Sequence, residues 1–375
     1  MLIQQGMVFT KRFVFEPLSL RLEDGVIRGM GPELSARPGE EVVDAAGLRV
    51  IPGLVDVHFH GCAGADFSDG TEEALHTIAV CEKKAGVTTI CPASMTLPEE
   101  RLLSVCRTAA AHVRRPGEAA LAGIHLEGPM ISPERVGAQN PAFVRCPDAA
   151  LLRRLQEAAG GLIRLVTLAP ELPGAVEVIR ELGGQMHFSV GHTCADYAAA
   201  AAAFEAGADH LTHLFNAMPG LHHRRPGPAA AGAERGTVFA ELIGDGIHVH
   251  PAMVQAAFRL FGAERIVLIS DSTRAAGCPD GTYELGGQLV EKRDGAAWLT
   301  EDTLAGSAVS LFDCLRTVAG MGIPLADAVR AAAWNPAVSI GAEKECGAIA
   351  PGMPARILLV AESLDLVRVI TEEDC

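Results

Sequence analysis

"IPGLVDVHFHG" (Ile51–Gly61) is the stretch on which the reading turns: a largely apolar run leads into two histidines, His58 and His60, two positions apart. In a strand, residues i and i+2 face the same way, so the two imidazoles share a face and could chelate one ion. An H-x-H pair alone is more often two unrelated polar residues at a strand end. Its meaning depends on where the other polar residues of the chain fall.

Downstream of Pro52, apolar β-rich segments recur: "GLVDVHFH" (53–60), "GVTTICPAS" (86–94), "AGIHLEG" (122–128), "LIRLVTLAP" (162–170), "QMHFSVGHT" (185–193), "DHLTHLFN" (209–216), "VFAELIGDG" (238–246) and "RIVLISDS" (265–272). Between most of them lie helical patterns with a closing glycine, such as "EEALHTIAVCEKKAG", "DAALLRRLQEAAGG" and "DYAAAAAAFEAG". Alternating strand and helix predicts an α/β fold with a parallel sheet, and eight such units predict a (β/α)8 TIM-type barrel over residues 53–344. "SAVSLFDCLRTVAG" and "PLADAVRAAAWNPAVSIG" read as helices that close it. The flanks, 1–52 and 345–375, carry short β-like runs broken by turn residues, and are expected to pair into a small β-sandwich domain.

With 375 residues, 49% apolar and 21% charged, the chain can bury a large core. A net charge of −15 argues against nucleic acid as a partner, because phosphate backbones demand excess basic surface. No apolar run reaches the ~18–20 residues of a membrane span, and "MLIQQGMVFTKRF" lacks the apolar core of a signal peptide, so a cytoplasmic protein without membrane association is expected. Ten scattered cysteines, none in a C-x-x-C pair, read as reduced thiols. One local basic patch, "HHRRPG" (222–227), stands out from the acidic whole.

The polar residues fall at the strand ends. Glu127 ends the third segment and His192 the fifth, His213 is placed on the sixth, His248 follows the seventh and Asp271 ends the eighth. In a (β/α)8 barrel those ends meet at one mouth, so these residues join His58 and His60 there. Buried ionisable groups are costly unless paired or bound to metal. Imidazole and carboxylate donors suit a divalent ion, Zn²⁺ first, with Fe²⁺ or Mn²⁺ as alternatives. His125, two residues before Glu127, shares its face but lies deeper and reads as a supporting residue. The remaining histidines, at 76, 112, 187, 210 and 250, read as structural.

"PGLVDVHFHG", "HLEGP" (125–129), "GHT" (191–193), "THLFNAM" (212–218), "DGIHV" (245–249) and "SDS" (270–272) together resemble the N-acetylglucosamine-6-phosphate deacetylase family of the amidohydrolase superfamily. The resemblance implies that Glu127, His192 and His213 hold a main ion and that His58 and His60 hold a second, giving one or two ions per subunit. It also implies that Asp271 faces the metal, takes a proton from the attacking water and returns it to the departing amine. His248 would contact the substrate near the carbonyl or a hydroxyl, and Ala138, Asn216 and Ala217 would line the sugar-phosphate site. Leu304, in "LAGS" (304–307), would pack on the acetyl or sugar face; read without the resemblance, this segment is an ordinary helix entry capped by Ser307.

For the phosphate, the resemblance points to Arg224, with His222 or His223 acting across the interface of a homodimer. Arg225 occupies a position where relatives often carry an acidic residue. The implied small-molecule substrate is an N-acetylhexosamine 6-phosphate, glucosamine first and galactosamine as the alternative. A non-catalytic scaffold is the competing reading from another class, but such a chain should have lost ligands or the aspartate. The fourth segment holds no lysine, unlike superfamily relatives that bridge their metals with one. Two departures are mild: "SDS" replaces T-D-A, and "GMPAR" puts Arg356 where many relatives have aspartate.

Overall fold

In the computed structural model, which describes residues 1–301 and 303–375, the stretch 51–61 is a junction between two sheets. Arg49–Pro52 belongs to a sheet built from both ends of the chain, and Leu54–Asp56 begins the parallel set. Both glycines of the stretch answer close approaches. A Cβ on Gly53 would lie 2.1 Å from Thr88 Oγ1, and one on Gly61 would lie 2.0 Å from the Ala65 carbonyl oxygen. Only a residue without a side chain lets the backbones come that close.

The eight expected segments are strands: Leu54–Asp56, Val87–Ile90, Ile124–Glu127, Ile163–Leu168, His187–Val190, His210–Leu211, Phe239–Ile243 and Ile266–Ile269. Neighbours in this order pair in parallel, the second reaching the third through Ala93–Ser94. Backbone hydrogen bonds then bring the end of the last strand against the end of the first: Asp271 N–H donates to the His58 carbonyl (2.9 Å) and His60 N–H to the Ser272 carbonyl (2.7 Å). Ser270 Oγ donates to the buried Asp56 carboxylate at 2.6 Å across the same seam, which gives the first serine of "SDS" a bond to keep.

The sheet is therefore curled, with helices outside it, in keeping with a TIM-like barrel. The helices form where their patterns place them, and local chemistry starts them. Asp148 accepts from the N–H groups of Ala150 and Leu151 to cap Ala149–Ala158, and Asp196 accepts from Ala199 to cap Tyr197–Ala206. Their apolar faces, among them Leu75, Ile78, Leu102, Leu151 and Leu155, pack into one core with the strands.

The two chain ends pair as expected, Arg49–Pro52 running antiparallel to Ile357–Val360. Hydrogen bonding joins seven strands in one sheet around a separate apolar cluster that includes Ile3, Val8, Leu20, Ile27 and Ile357. Arg356, the departure noted above, ties this unit to the parallel one: it donates to Glu372 Oε1 (2.8 Å) and to Thr89 Oγ1 (3.0 Å), while Arg114 reaches Glu372 at 3.2 Å. Burial works against ionisation of Glu372, but the hydrogen bonds from Arg356 and Arg114 win and hold its carboxyl down to about 2. A carboxyl depressed in the folded state contributes stability above its unfolded value, and that contribution is lost as pH falls through the folded one. Glu372→Gln should therefore lower the urea midpoint at pH 7, and the gap to the unaltered protein should close as pH falls from 4.5 towards about 2.

Two expectations are corrected. A four-stranded antiparallel sheet, Gly281–Leu285, Gln288–Arg293, Ala296–Trp298 and Leu304–Ser307, stands between the eighth strand and the closing helices. "LAGS" is its last strand, so Ser307 caps nothing; the cap of helix Leu311–Gly320 is Ser310, which accepts from Asp313 N–H. Leu285, Val290, Ala297 and Ala305 of this sheet pack on Met95, which sets it over the mouth of the parallel strands. His213 is not on the sixth strand but two residues beyond its end, as His192 is beyond the fifth.

Candidate metal centre

The residues at the strand ends leave regular geometry as they turn inward. His192, His213 and Asp271 have φ of 45°, 28° and 47°, in the left-handed region that side chains disfavour. Such conformations cost of the order of 1–3 kcal/mol each and persist where surrounding structure over-determines them. Here they aim His192 and His213, just past the fifth and sixth strands, at Glu127 on the third, and Asp271, just past the eighth, at His58 and His60.

For three of the imidazoles, His58, His60 and His192, a hydrogen bond at Nδ1 leaves Nε2 free, while among the described residues His213 has no partner at Nδ1. His192 Nδ1 donates to the Arg135 carbonyl (2.7 Å) and His60 Nδ1 to the Ala93 carbonyl (3.2 Å), because a carbonyl can only accept. His58 Nδ1 faces Glu241 Oε2 at 2.8 Å. Each ring is thereby left with Nε2 towards the centre. There His192 Nε2 and His213 Nε2 lie 3.0 Å from Glu127 Oε1 and 3.1 Å from each other. His60 Nε2 is 3.1 Å from Glu127 Oε2 and 3.5 Å from Asp271 Oδ1, and His58 Nε2 is 3.3 Å from Glu127 Oε1 with no hydrogen-bond partner.

Neutral imidazole lone pairs pointing at carboxylate oxygens repel unless a proton or a cation lies between them. Burial disfavours charge on His58 and His60, yet Glu127 and Glu241 raise His58 well above its ordinary range, and hydrogen bonds to Asp271 and Glu127 raise His60 to about 10. The carboxylates thus call for positive charge at this point. Two groups have the donor set of a cation site, Glu127–His192–His213 and His58–His60–Asp271, and both are buried. The residues fit a divalent ion, and the family reported below indicates one.

Two other groups do not fit. In His58–His125–Glu241, His125 spends Nδ1 on the Val57 carbonyl (3.1 Å) and Nε2 on Thr167 Oγ1 (2.8 Å). Burial, with the nearby His58, lowers its pKa to about 3, so it stays neutral and supports the wall, as expected of it. His187–Asp209–His210 lies at the opposite end of the strands, and both imidazoles hydrogen-bond to the one carboxylate, at 2.6 and 2.7 Å.

Above the centre opens a cavity of about 470 Å³, lined by His60, Glu127, His192, His213 and Asp271 at its floor. Ala138, Asn216, Ala217, His248 and Leu304 stand in its walls. His58 is fully buried behind the floor. His248 Nδ1 is held by Asp245 Oδ2 at 2.6 Å. Burial opposes its charging, but Asp245 and Asp271 outweigh burial and raise it above its ordinary range.

The basic patch is not in this cavity. His222, Arg224 and Arg225 line a neighbouring cavity of about 810 Å³, and Arg135 lines both; His223 lines neither. Three residues escaped the sequence reading. Gln139, buried, donates to Glu127 Oε2 at 2.5 Å, Glu241 holds His58, and Asp245 holds His248. Glu241 and Asp245 left a signal, as charges in or directly after the apolar run "VFAELIGDG".

The Amidohydrolase family model matches residues 49–372. An N-acetylglucosamine-6-phosphate deacetylase of Bacillus subtilis (strain 168) is 34% identical, covering 99% of this chain and 95% of its own. An N-acetylgalactosamine-6-phosphate deacetylase of Escherichia coli O157:H7 is 35% identical over 93% of this chain and 92% of its own. The N-acetyl-D-glucosamine-6-phosphate deacetylase of Mycobacterium smegmatis superposes with a TM-score of 0.93 at 34% identity, covering 99% of this chain and 98% of that one. A variant of that enzyme, solved in complex with N-acetyl-D-glucosamine-6-phosphate, superposes with a TM-score of 0.92 at the same identity and coverage.

Proposed function

The chain belongs to the amidohydrolase family, and from that premise we propose that it hydrolyses N-acetyl-D-glucosamine 6-phosphate to D-glucosamine 6-phosphate and acetate. It is a hydrolase acting on an amide. One observation carries the reading: Glu127, His192 and His213 meet within 3.1 Å on the floor of a cavity that also holds Asp271. The gluco epimer follows the relatives, one of which is solved with that sugar phosphate. Acetate release from the gluco and galacto 6-phosphates, with metal-stripped protein as control, tests it; equal rates with and without metal would sink it.

Glu127, His192 and His213 hold the main ion and His58 and His60, with Asp271 beside them, a second; zinc suits these donors best. When bound, the metal polarises the acetyl carbonyl and acidifies water. Asp271 then serves as base and as acid: it takes a proton from the attacking water and delivers it to the amine nitrogen as the C–N bond breaks. Burial disfavours its charged form, but the hydrogen bond from His60 and the charges of His58 and His60 hold its carboxyl below the ordinary range when no ion lies between them. His248, whose Nδ1 is held by Asp245, stands near the carbonyl and, in its charged form, donates through Nε2–H to steady the oxyanion. Ala138, Asn216, Ala217 and Leu304 fix the sugar and its acetyl group.

Arg224 is assigned to the phosphate, with His222 or His223 acting across the interface of a homodimer; His222 and Arg224 line a cavity that shares Arg135 with the one above the metal centre. Loss of one charge-assisted hydrogen bond is worth ~1.5–3 kcal/mol, so Arg224→Ala should raise KM roughly 10- to 100-fold for the phosphorylated sugar and hardly at all for the unphosphorylated one. Steady-state kinetics on both sugars checks this, and light scattering the dimer. Residues 53–344 are read as a closed (β/α)8 barrel, and 1–52 with 345–375 as a small β-sandwich domain. A reducing, cytoplasmic setting suits the ten unpaired cysteines.

A further inference from the structure

Glu241, on the seventh parallel strand, has none of its surface in water, and among the described residues no lysine or arginine pairs with it. Its Oε2 accepts from His58 Nδ1 (2.8 Å) and from the His213 backbone N–H (3.3 Å), while Oε1 has no hydrogen-bond partner. An incompletely satisfied carboxylate at such depth is expensive. A carboxylate can only accept, so the proton of His58 belongs on Nδ1, and the Nε2 lone pair must face Glu127 and Asp271. Among the described residues, no other hydrogen bond holds His58 Nδ1. His125 packs edge-on to the same ring, 4.5 Å between centroids, with both nitrogens already engaged.

We infer that Glu241 is the positioning residue that decides whether the His58–His60–Asp271 group takes up a cation at all. The inference rests on the metal-site reading given above and adds its control: the second ion depends on a carboxylate that never touches it. Its grip on the His213 backbone makes it a support of the main centre as well, but there Glu127 and His192 remain to hold the ion. A partner of this kind, oriented through a ligand's far nitrogen, is commonly worth ~10- to 100-fold in metal affinity.

The test is zinc stoichiometry and affinity, read by elemental analysis and calorimetry on the full chain, without reference to turnover. The unaltered protein should hold two ions. Glu241→Leu should hold one, with the second weakened by ~10- to 100-fold, while Glu241→Gln, whose amide oxygen still accepts from Nδ1–H, should recover much of the second. Two ions of unchanged affinity in Glu241→Leu would overturn the inference and leave the functional reading standing. So would a Gln variant that loses the second ion as fully as the Leu variant, because the fixed tautomer would then not be the cause. If the unaltered protein holds fewer than two ions the inference falls, and if it holds none the functional reading falls with it.

Discussion

Replacing Asp271 by Asn should leave the metal content unchanged and lower kcat by about 10²–10⁴-fold, the range that a positioned general base contributes. The amide has nearly the shape of the carboxylate and can keep the contact to His60 Nε2, now 3.5 Å from Oδ1, but it cannot accept a proton from water. Its backbone is held independently of its charge, by the N–H bond to the His58 carbonyl and by the Ser307 N–H that donates to its own carbonyl at 2.8 Å. Elemental analysis and steady-state kinetics on one preparation separate the outcomes. Near-normal turnover would remove Asp271 from proton transfer, and loss of metal in parallel with turnover would make it only a ligand.

Glu127→Ala should have the larger effect. Glu127 is the one carboxylate within 3.3 Å of four imidazoles, those of His58, His60, His192 and His213. Without it, the rings of His192 and His213 face each other at 3.1 Å with nothing to balance a cation, so the main ion should be lost. Activity should fall on the order of 10⁴-fold or more, since water is then far less acidic than when metal-bound. The variant should match the metal-stripped unaltered protein in turnover, and adding zinc should restore the latter but not the former. Restoration of both would move the main ion to other ligands.

Much of this site was legible because its residues follow directly on the strands, whose ends gather Glu127, His192, His248 and Asp271 in one place. Pairing His58 with His60 assumes a strand through residue 60, but the first strand ends at Asp56 and both histidines stand on the irregular backbone after it. Irregular backbone is where the reading thinned. Gln139 and Arg135 sit in the loop after the third strand, whose path no periodicity describes, and His213 lies past a strand too short to carry it. The appended sheet of 281–307 was missed because its first two strands mix exposed, half-buried and buried positions and carry charged residues, leaving no apolar run to mark them. It had left a different trace: Gly286–Gly287 and Asp294–Gly295 are hairpin turns, and all four residues adopt positive φ. The displacement of the 222–225 loop from the cavity had no trace in the sequence, because where a loop lands depends on its neighbours.

The strand Leu304–Ser307 has a mechanical consequence. Leu304, Ala305 and Gly306 are wall for whatever enters the cavity, and Ser307, the next residue, is stitched to Ser270, Asp271 and Thr273 by three hydrogen bonds of 2.6 to 3.0 Å. Roof and base form one lever. A substrate that presses on Leu304 loads the segment carrying Asp271, so the fit of the acyl group and the aim of the proton acceptor are felt through the same beam. Selectivity for the acetyl group and the rate of its removal are then not separate properties to be tuned one at a time.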